Sequence, residues 1–417
     1  MSELSMGRAL AWSAAATLIK MGLGLLVVKW MAHAFGPDGM GRAGNFIALV
    51  TLLGVLSGAG IYNGVTKYVA EFQHDPVRLR RLLGTSSIIV FGFSCVLALL
   101  FILAAAPLSQ LLFGREDLQS VVWAIAFIQF GIAYANLFLA ILKGQCDARG
   151  NALSVIAGSL LGLGVCWLAF RLGDYSSALI GLALAPALLV LPAGVMLFKR
   201  GIVSLKPIWD STLACGLCKF TAMATITAIM LPLAYAMMRE LLAARHGWDE
   251  VGLWQGVSQI SMAYLQFITA PFTVYLLPML ARQKNKIGLA REIGRAQCFL
   301  LPLALVMSLS IWLLRDIVIE LLFSADFKPM RDLFAWQLSG DVFKVSAYMF
   351  AYLVIARASL CFCVLTEISQ FGLLTFFSHC LIPSGGALGA VQAYAATYIV
   401  YFALCATAFL IYCKKGR

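Results

Sequence analysis

The chain has 417 residues, of which 62% are hydrophobic and 12% charged, and its formal net charge is +12. An average soluble domain is about half apolar and about a quarter charged, so this chain lacks the polar surface that a soluble globule requires. Long apolar runs and the absence of a Gly or Pro period exclude the fibrous, disulfide-scaffold and disordered classes, which leaves an all-α polytopic membrane protein.

Twelve apolar runs are candidate membrane helices, because about 20 apolar residues cross roughly 30 Å of hydrocarbon. They lie at 9–33, 42–70, 82–106, 118–142, 151–170, 176–198, 213–238, 251–281, 296–314, 333–356, 358–380 and 388–413. The first run is long enough to span and leads into a second, so it predicts a membrane helix rather than a signal peptide. The connectors are too short for a soluble catalytic domain.

Lys and Arg are distributed unevenly between the two sides of these helices. If the N-terminus is cytoplasmic, 18 cations lie in cytoplasmic loops and 8 in the loops on the opposite side. Positive charge collects on the cytoplasmic side of membrane proteins, so the bias predicts that both termini are cytoplasmic. Topology therefore explains most of the net charge, and we expect no nucleic-acid partner.

Two short motifs recur at a spacing close to half the chain length. Gly36–Gly41 and Gly247–Gly252 share the pattern G-x-D-x-x-G at an offset of 211 residues. Ala178–Ala183 resembles Ala387–Gln392 at an offset of 209. Because six spans separate the copies, the recurring motifs indicate two parallel repeats that are related by an axis along the membrane normal.

The repeats predict how the chain is divided. We expect an N-terminal six-helix lobe at 1–200, a cytoplasmic linker at 201–212 and a C-terminal six-helix lobe at 213–417, with pseudo-two-fold symmetry between the lobes. In rocker-type transporters of this design the substrate binds near the bilayer midplane, between the repeats.

Seven charged residues lie inside the predicted spans, where a central charge costs at least about 2.5–3.5 kcal/mol. They are the cations Lys20, Lys29, Lys67, Lys219 and Lys344 and the acids Asp341 and Glu367. Lys29, Lys67 and Lys219 are close enough to helix ends to reach the headgroups. The net charge of this set is +3, which favours an anionic ligand in any cavity that it lines.

Four of these residues lie deeper, near the bilayer midplane. Asp341 and Lys344 lie three positions apart, on the same face of a helix, and can neutralise each other as a structural pair. Lys20 and Glu367 have no local partner in sequence. We therefore expect them to face a cavity or a partner on another helix.

Polar side chains near these charges are candidate ligands for sugars. Asn63 shares a helical face with Lys67 at a spacing of four residues. Span eight contains Gln255 and Gln259 among polar and aromatic side chains at helical spacing, which suits recognition of sugars by hydrogen bonds and stacking. The alternative role for each is a hydrogen bond between helices.

The chain lacks the sequence motifs of several common classes of enzyme. No Walker A motif, HExxH motif or GxSxG elbow occurs, and the acidic residues are dispersed. Cys215 and Cys218 have the spacing of a metal or redox site but lack further ligands in sequence. We expect a transporter rather than an enzyme, with no cofactor, no metal and no catalytic residue.

Three stretches carry a family resemblance: Gly58–Tyr68, Trp248–Gly256 and Arg331–Gln337. They resemble the Wzx polysaccharide-flippase branch of the multidrug/oligosaccharidyl-lipid/polysaccharide exporter superfamily, and most closely its enterobacterial common antigen subgroup. The similarity extends over essentially the whole chain. It implies a fold of about twelve helices in two six-helix lobes around a central cavity, as in the MATE transporters, and a location in the bacterial inner membrane.

The resemblance also implies a substrate and partners. The substrate would be undecaprenyl pyrophosphate carrying a short acetamido-sugar chain that includes a uronic acid, moved from the cytoplasmic to the periplasmic leaflet. The partners would be the phospholipid bilayer and the antigen's polymerase and chain-length regulator. Two alternatives remain: an O-antigen repeat-unit flippase, and a cation-coupled multidrug exporter with an acidic cavity.

Our hypothesis is alternating access around a cationic central cavity. Three groups of residues have roles in it: Lys20, Lys67 and Lys344 meet the pyrophosphate or uronate, Asn63, Gln255 and Gln259 contact sugars, and Asp341 and Glu367 couple transport to protons or sodium. Lysine suits phosphate as a flexible point charge.

Overall fold

The computed structural model describes residues 3–201, 206–271, 286–356 and 360–414. Within these ranges all regular structure is helical, with fourteen α-helices and one 3-10 helix, Ala325–Leu333. The α-helices are α1 Glu3–Leu56, α2 Tyr62–Glu71, α3 Pro76–Leu103, α4 Ala105–Phe113, α5 Gln119–Gly144, α6 Ala148–Arg171, α7 Tyr175–Ala187, α8 Val190–Lys199, α9 Ser211–His246, α10 Trp248–Pro271, α11 Lys286–Leu313, α12 Arg315–Leu322, α13 Phe334–Ala356 and α14 Leu360–Lys414.

Seven of the described helical segments, with α7 and α8 counted together as one, are long and apolar enough to cross a membrane. Two of them, α1 and α14, contain apolar segments of 46 and 48 residues, about twice the length of one crossing. Each is interrupted at one glycine with positive φ, Gly36 (φ 60°) and Gly386 (φ 54°), so each is long enough for two crossings. Helices α9, α10 and α13, of 36, 24 and 23 residues, correspond to the remaining three of the twelve predicted spans. The all-α polytopic class is confirmed.

Some predicted boundaries are wrong. The run 42–70 is not one helix, because α1 ends at Leu56 and α2 begins at Tyr62. Between them, Ala59 and Gly60 have φ of 52° and 69°, a left-handed conformation that no continuous helix allows. The run 251–281 is described only to Pro271, so the rest of this prediction lies outside the described residues. Helix α12 and most of α4 lie in stretches that were predicted to be connectors, because with 8 and 9 residues these helices are too short to cross a membrane.

The chain forms two compact units. Unit 1 contains residues 1–34 and 42–229, and unit 2 contains residues 35–41 and 230–417. Part of the predicted linker packs in unit 1, where the Thr85 hydroxyl donates to the Ile208 carbonyl (2.9 Å) and accepts from the Asp210 amide (3.1 Å). The lobe limits at 200 and 213 stay a prediction.

Each unit is organised around a central packing. In unit 1, α5 is the most deeply buried of the seven apolar spans, because 61% of its most apolar stretch is buried. It packs against α2, α3, α7 and α8. Its buried side chains include many alanines, such as Ala133 and Ala140, which allow close approach of its neighbours. In unit 2, α13 packs along α14 and is contacted by α10 and α11.

The two copies of the G-x-D-x-x-G motif share two structural features. Gly36 and Gly247 both adopt positive φ, 60° and 90°, at the end of a long helical segment. The later glycines of the two copies pack against the opposite copy. A Cβ on Gly41 would lie 2.5 Å from the Trp248 carbonyl oxygen, and a Cβ on Gly252 would overlap the Pro37 carbonyl oxygen. Both contacts lie within unit 2.

Candidate functional site

Unit 1 contains a cavity of about 700 Å³. It is lined by both limbs of α1 around Gly36, by the second half of α5, by α6, and by the residues that join α7 to α8. Its polar lining residues are Ser13, Thr17, Lys20, Thr51, Asn136, Lys143, Asn151 and Ser159. A volume of this size is within the range of ligand-binding clefts, roughly 300–1,000 Å³.

Two lysines give the cavity its charge. Lys20 projects from the first limb of α1 and Lys143 from the last turn of α5, and both side chains are solvent-exposed. No Asp or Glu is among the described residues that line the cavity. Asp147, the nearby N-cap of α6, accepts from the Gly150 amide (2.9 Å) and pairs with Arg200 (2.8 Å). The two lysine ammonium groups therefore repel each other and attract an anion.

The neutral groups of the lining supply acceptors. The hydroxyls of Thr17 and Thr51 each donate to a carbonyl one turn earlier in α1, both at 2.9 Å, which leaves their lone pairs available. Asn136 donates through Nδ2 to the Ile132 carbonyl oxygen (2.9 Å), and its Oδ1 takes no part in that hydrogen bond. Such groups accept hydrogen bonds from the hydroxyl and amide donors of a sugar.

Asn63 and Lys67, which the sequence placed on one helical face, are both exposed on α2. Neither lines the cavity of unit 1. The Lys67 ammonium lies 5.5 Å from the ring centroid of Tyr68. Their role as substrate contacts stays a prediction.

Unit 2 holds a buried polar cluster around Asp341, which is fully buried on α13. Its carboxylate accepts three hydrogen bonds: from Tyr394 Oη to Oδ1 (2.6 Å), and from Ser261 Oγ (2.6 Å) and Tyr264 Oη (2.8 Å) to Oδ2. Gln337 donates to Ser261 Oγ (3.2 Å) and so extends the network. Hydrogen bonds of this kind stabilise the ionised carboxylate in place of water.

Lys344 lies one helical turn from Asp341 and is half-buried. Its Nζ donates to Tyr394 Oη (3.3 Å). The same ammonium is within 6 Å of the ring centroids of Tyr348, Tyr394 and Tyr398, at 5.8, 5.3 and 4.9 Å. Asp341 and Lys344 thus belong to one cluster, as the structural-pair alternative anticipated.

Gln255 is 1% exposed and accepts a hydrogen bond at Oε1 from Arg239 Nε (3.2 Å). Arg239 is 5% exposed, and its guanidinium lies 5.5 Å from the ring centroid of Trp254. Arg239 is one of the eight cations that were counted in loops opposite the cytoplasmic side, and that position is wrong, because α9 continues past it to His246. Gln259 is half-buried on α10, one turn from Gln255.

Glu367, on the first half of α14, is half-buried. The described part of the chain shows no hydrogen bond or ion pair to its carboxylate, in contrast to Asp341. The two predicted coupling acids therefore differ: Asp341 accepts three hydrogen bonds, and Glu367 has none from the residues that the structure describes.

The third resemblance motif begins with an ion pair outside the membrane spans. Arg331, in the 3-10 helix, pairs through Nε with Asp316 Oδ1 of α12 at 2.6 Å, and both side chains are exposed. The hydrogen bond from Arg331 holds the pKa of Asp316 below its ordinary value. The pair fastens the 3-10 helix to α12.

Comparison with known proteins identifies relatives across the chain. The model of a family described as "Polysaccharide biosynthesis protein" matches residues 6–284. Proteins named "Lipid III flippase" from Escherichia coli K12 and Shigella flexneri are each 58% identical to this chain over 416 residues. The alignment covers 99% of this chain and 100% of each relative.

Solved structures share the fold at low sequence identity. An inward-facing MATE family multidrug resistance transporter of the MOP superfamily has a TM-score of 0.78 at 16% identity, covering 98% of this chain and 99% of that one. The lipid II flippase MurJ, in an inward closed conformation, has a TM-score of 0.74 at 16% identity over 96% and 87%. The predicted MATE-like fold is confirmed, and the match to curated relatives over the full length shows that the chain belongs to the polysaccharide biosynthesis protein family.

Proposed function

We propose that this protein is a lipid III flippase that moves an undecaprenyl-pyrophosphate-linked oligosaccharide from the cytoplasmic to the periplasmic leaflet by alternating access. The 58% identity to named lipid III flippases over the whole chain supports this most strongly. The cavity of unit 1, which has two lysines and no acid in its lining, is the structural observation that fits it. Transfer of such a lipid between the leaflets of protein-containing vesicles tests the function directly.

The chemistry of the cavity fits the headgroup that the family resemblance implies. A pyrophosphate and a uronate are anionic, and an ion pair at 4 Å contributes about 4 kcal/mol at an effective dielectric constant of 20. We assign Lys20 and Lys143 to the phosphate or uronate, and Asn136 and the neighbouring hydroxyls to the sugars. The polyprenyl chain, being apolar, stays in the bilayer.

The same charge argues against the drug-exporter alternative. A cationic drug would approach two ammonium groups with no carboxylate among the cavity-lining residues to receive it. An O-antigen flippase would use the same charge and differ in the sugars, so the 58% relatives favour lipid III over that alternative.

We place the protein in the inner membrane with both termini cytoplasmic, as the excess of loop cations on the cytoplasmic side predicts. In this orientation an inside-negative potential favours outward movement of an anion by about 2.3 kcal/mol per charge per 100 mV. Assembly with the antigen's polymerase and chain-length regulator is part of the same proposal and follows from the family resemblance.

For coupling to protons we favour Glu367 over Asp341. Asp341 is fully buried and accepts three hydrogen bonds, whereas Glu367 is half-buried and has no such set within the described residues. We expect Glu367→Gln to reduce the acceleration of transport by an imposed proton gradient by roughly fivefold or more.

Asp341→Asn is the matched control for this experiment. It should lower the melting temperature because it disturbs the buried network, while the variant protein that remains folded keeps its response to the proton gradient. A full gradient response in Glu367→Gln would remove Glu367 from the coupling role.

A further inference from the structure

The ammonium of Lys344 is surrounded by aromatic rings. Tyr348, Tyr394 and Tyr398 place their ring centroids 5.8, 5.3 and 4.9 Å from Nζ, and the Tyr394 hydroxyl accepts its hydrogen bond at 3.3 Å. Rings at such distances attract a cation electrostatically, and groups of aromatic rings form binding sites for ammonium ligands. The arrangement is that of a cation site.

A negative charge completes this site. Asp341 lies one helical turn from Lys344 and shares the Tyr394 hydroxyl with it, because Tyr394 donates to Asp341 Oδ1 (2.6 Å) while it accepts from Lys344. Asp341 is fully buried, and an ionised carboxylate in the interior is stabilised by a cation close to it in addition to its hydrogen bonds.

The surrounding helices hold the site in place before any cation enters. Gly340, next to Asp341, allows the Tyr394 ring to lie against α13, since a Cβ there would be 2.5 Å from Tyr394 Cδ1. Gln370 donates to Tyr398 Oη at 2.8 Å and orients that ring. Tyr394 and Tyr398 also contact each other edge to face, with centroids 4.7 Å apart.

We infer that unit 2 contains a binding site for a small monovalent cation, formed by Asp341, Tyr348, Tyr394 and Tyr398, and that the chain's own Lys344 ammonium occupies it. The ligand class is a primary alkylammonium, because that is the chemistry of the present occupant. This inference concerns unit 2 alone and does not depend on the proposed transport substrate. It implies that no added metal ion is required at Asp341, since the counter-cation is attached to the chain.

Shortening Lys344 should open the site to a free cation. Lys344→Ala removes Cγ, Cδ, Cε and Nζ, and these atoms correspond to propylammonium. We expect the purified variant to have a lower melting temperature than the wild type, and propylammonium chloride to raise it in a saturable, concentration-dependent way. Methylammonium and ammonium should act more weakly, and 1-propanol, which lacks the charge, should have no saturable effect.

Three variants separate the site from general salt effects. Lys344→Met keeps the volume without the charge and should not respond to propylammonium. The double variant Asp341→Asn/Lys344→Ala lacks the counter-charge and should lose the response. Lys29→Ala removes a lysine from α1 in unit 1 and should show no response beyond that of the wild type.

A Lys344→Ala protein whose melting temperature does not respond to propylammonium would overturn the inference. If that variant cannot be purified, the wild type provides a second test. Its melting temperature should be equal in sodium, potassium and choline chloride of the same concentration, because Lys344 already fills the site. A saturable stabilisation by sodium that Asp341→Asn abolishes would also overturn the inference.

Discussion

Replacing both Lys20 and Lys143 with alanine is expected to reduce transfer of the lipid-linked oligosaccharide by roughly 100-fold. Each residue supplies an ammonium to the cavity of unit 1, and no acid is found in the part of its lining that the structure describes. A charge-assisted hydrogen bond contributes about 1.5 kcal/mol or more, so two of them contribute about 3 kcal/mol, which is roughly 100-fold in affinity. The measurement is the initial rate of leaflet transfer in reconstituted vesicles, together with the melting temperature of each variant.

The folded state should tolerate this change, because both lysines are exposed and repel each other. The double arginine variant should keep most of the activity, since it preserves the charge. Lys29→Ala, on the same helix as Lys20 but outside the cavity lining, is the matched control and should transport like the wild type. Wild-type transport by the double alanine variant would remove the cavity lysines from substrate binding.

Gly252→Ala is expected to destabilise the folded protein strongly, although it adds only one methyl group. The new Cβ would overlap the Pro37 carbonyl oxygen, which belongs to backbone and cannot rotate away as a side chain can. Overpacking of a well-packed interior costs about 1–3 kcal/mol even when side chains can adjust. Because the backbone cannot adjust in that way, we expect the loss of stability to lie above the lower end of that range. We expect a lower melting temperature and reduced yield of folded protein.

Gly92→Ala is the matched control, because nothing lies within 4 Å of a Cβ at that position on α3. It should leave the melting temperature unchanged or raise it, since alanine is favoured over glycine inside a helix by about 0.5–1 kcal/mol. Gly41→Ala, in the other copy of the motif, should behave like Gly252→Ala. Equal melting temperatures for Gly252→Ala and Gly92→Ala would show that the reciprocal packing of the two copies is not a close one.

Hydropathy predicted much of this fold because apolar runs in a membrane protein must be about as long as the bilayer is thick. The run 118–142 corresponds closely to α5 (Gln119–Gly144), and 151–170 to α6 (Ala148–Arg171). Hydropathy could not show that Leu56 ends a helix within the run 42–70, because Gly58, Ala59 and Gly60 are as apolar as a helix interior. The break depends on backbone angles rather than on polarity.

The repeat could be recognised in the sequence because each of its glycines occupies a position that few other residue types can occupy. Gly36 and Gly247 both need positive φ, and Gly41 and Gly252 both need the space of a missing Cβ. That one copy packs against the other could not be read from the spacing, since it depends on tertiary structure.

The candidate site was predicted in part. Lys20 was expected to face a cavity and lines one. Lys143 is one of the 18 cations that were counted in cytoplasmic loops, because the predicted span 118–142 ends immediately before it. Which helices surround the end of α5 is a matter of packing that one sequence does not reveal. Tyr394 and Tyr398, four residues apart on α14, were the available signal for the cluster around Asp341, and their spacing alone resembles ordinary helix packing.

The most direct test of the proposed function is transport in sealed vesicles that contain the purified protein. Fluorescent undecaprenyl-pyrophosphate-linked oligosaccharides, with and without a uronic acid, would be placed in one leaflet, and their appearance in the other followed by quenching with membrane-impermeant dithionite. We expect protein-dependent transfer of the anionic lipid-linked oligosaccharide, and no protein-dependent transport of a cationic dye. Transfer of that lipid at the rate of protein-free vesicles, accompanied by export of the dye, would contradict the assignment.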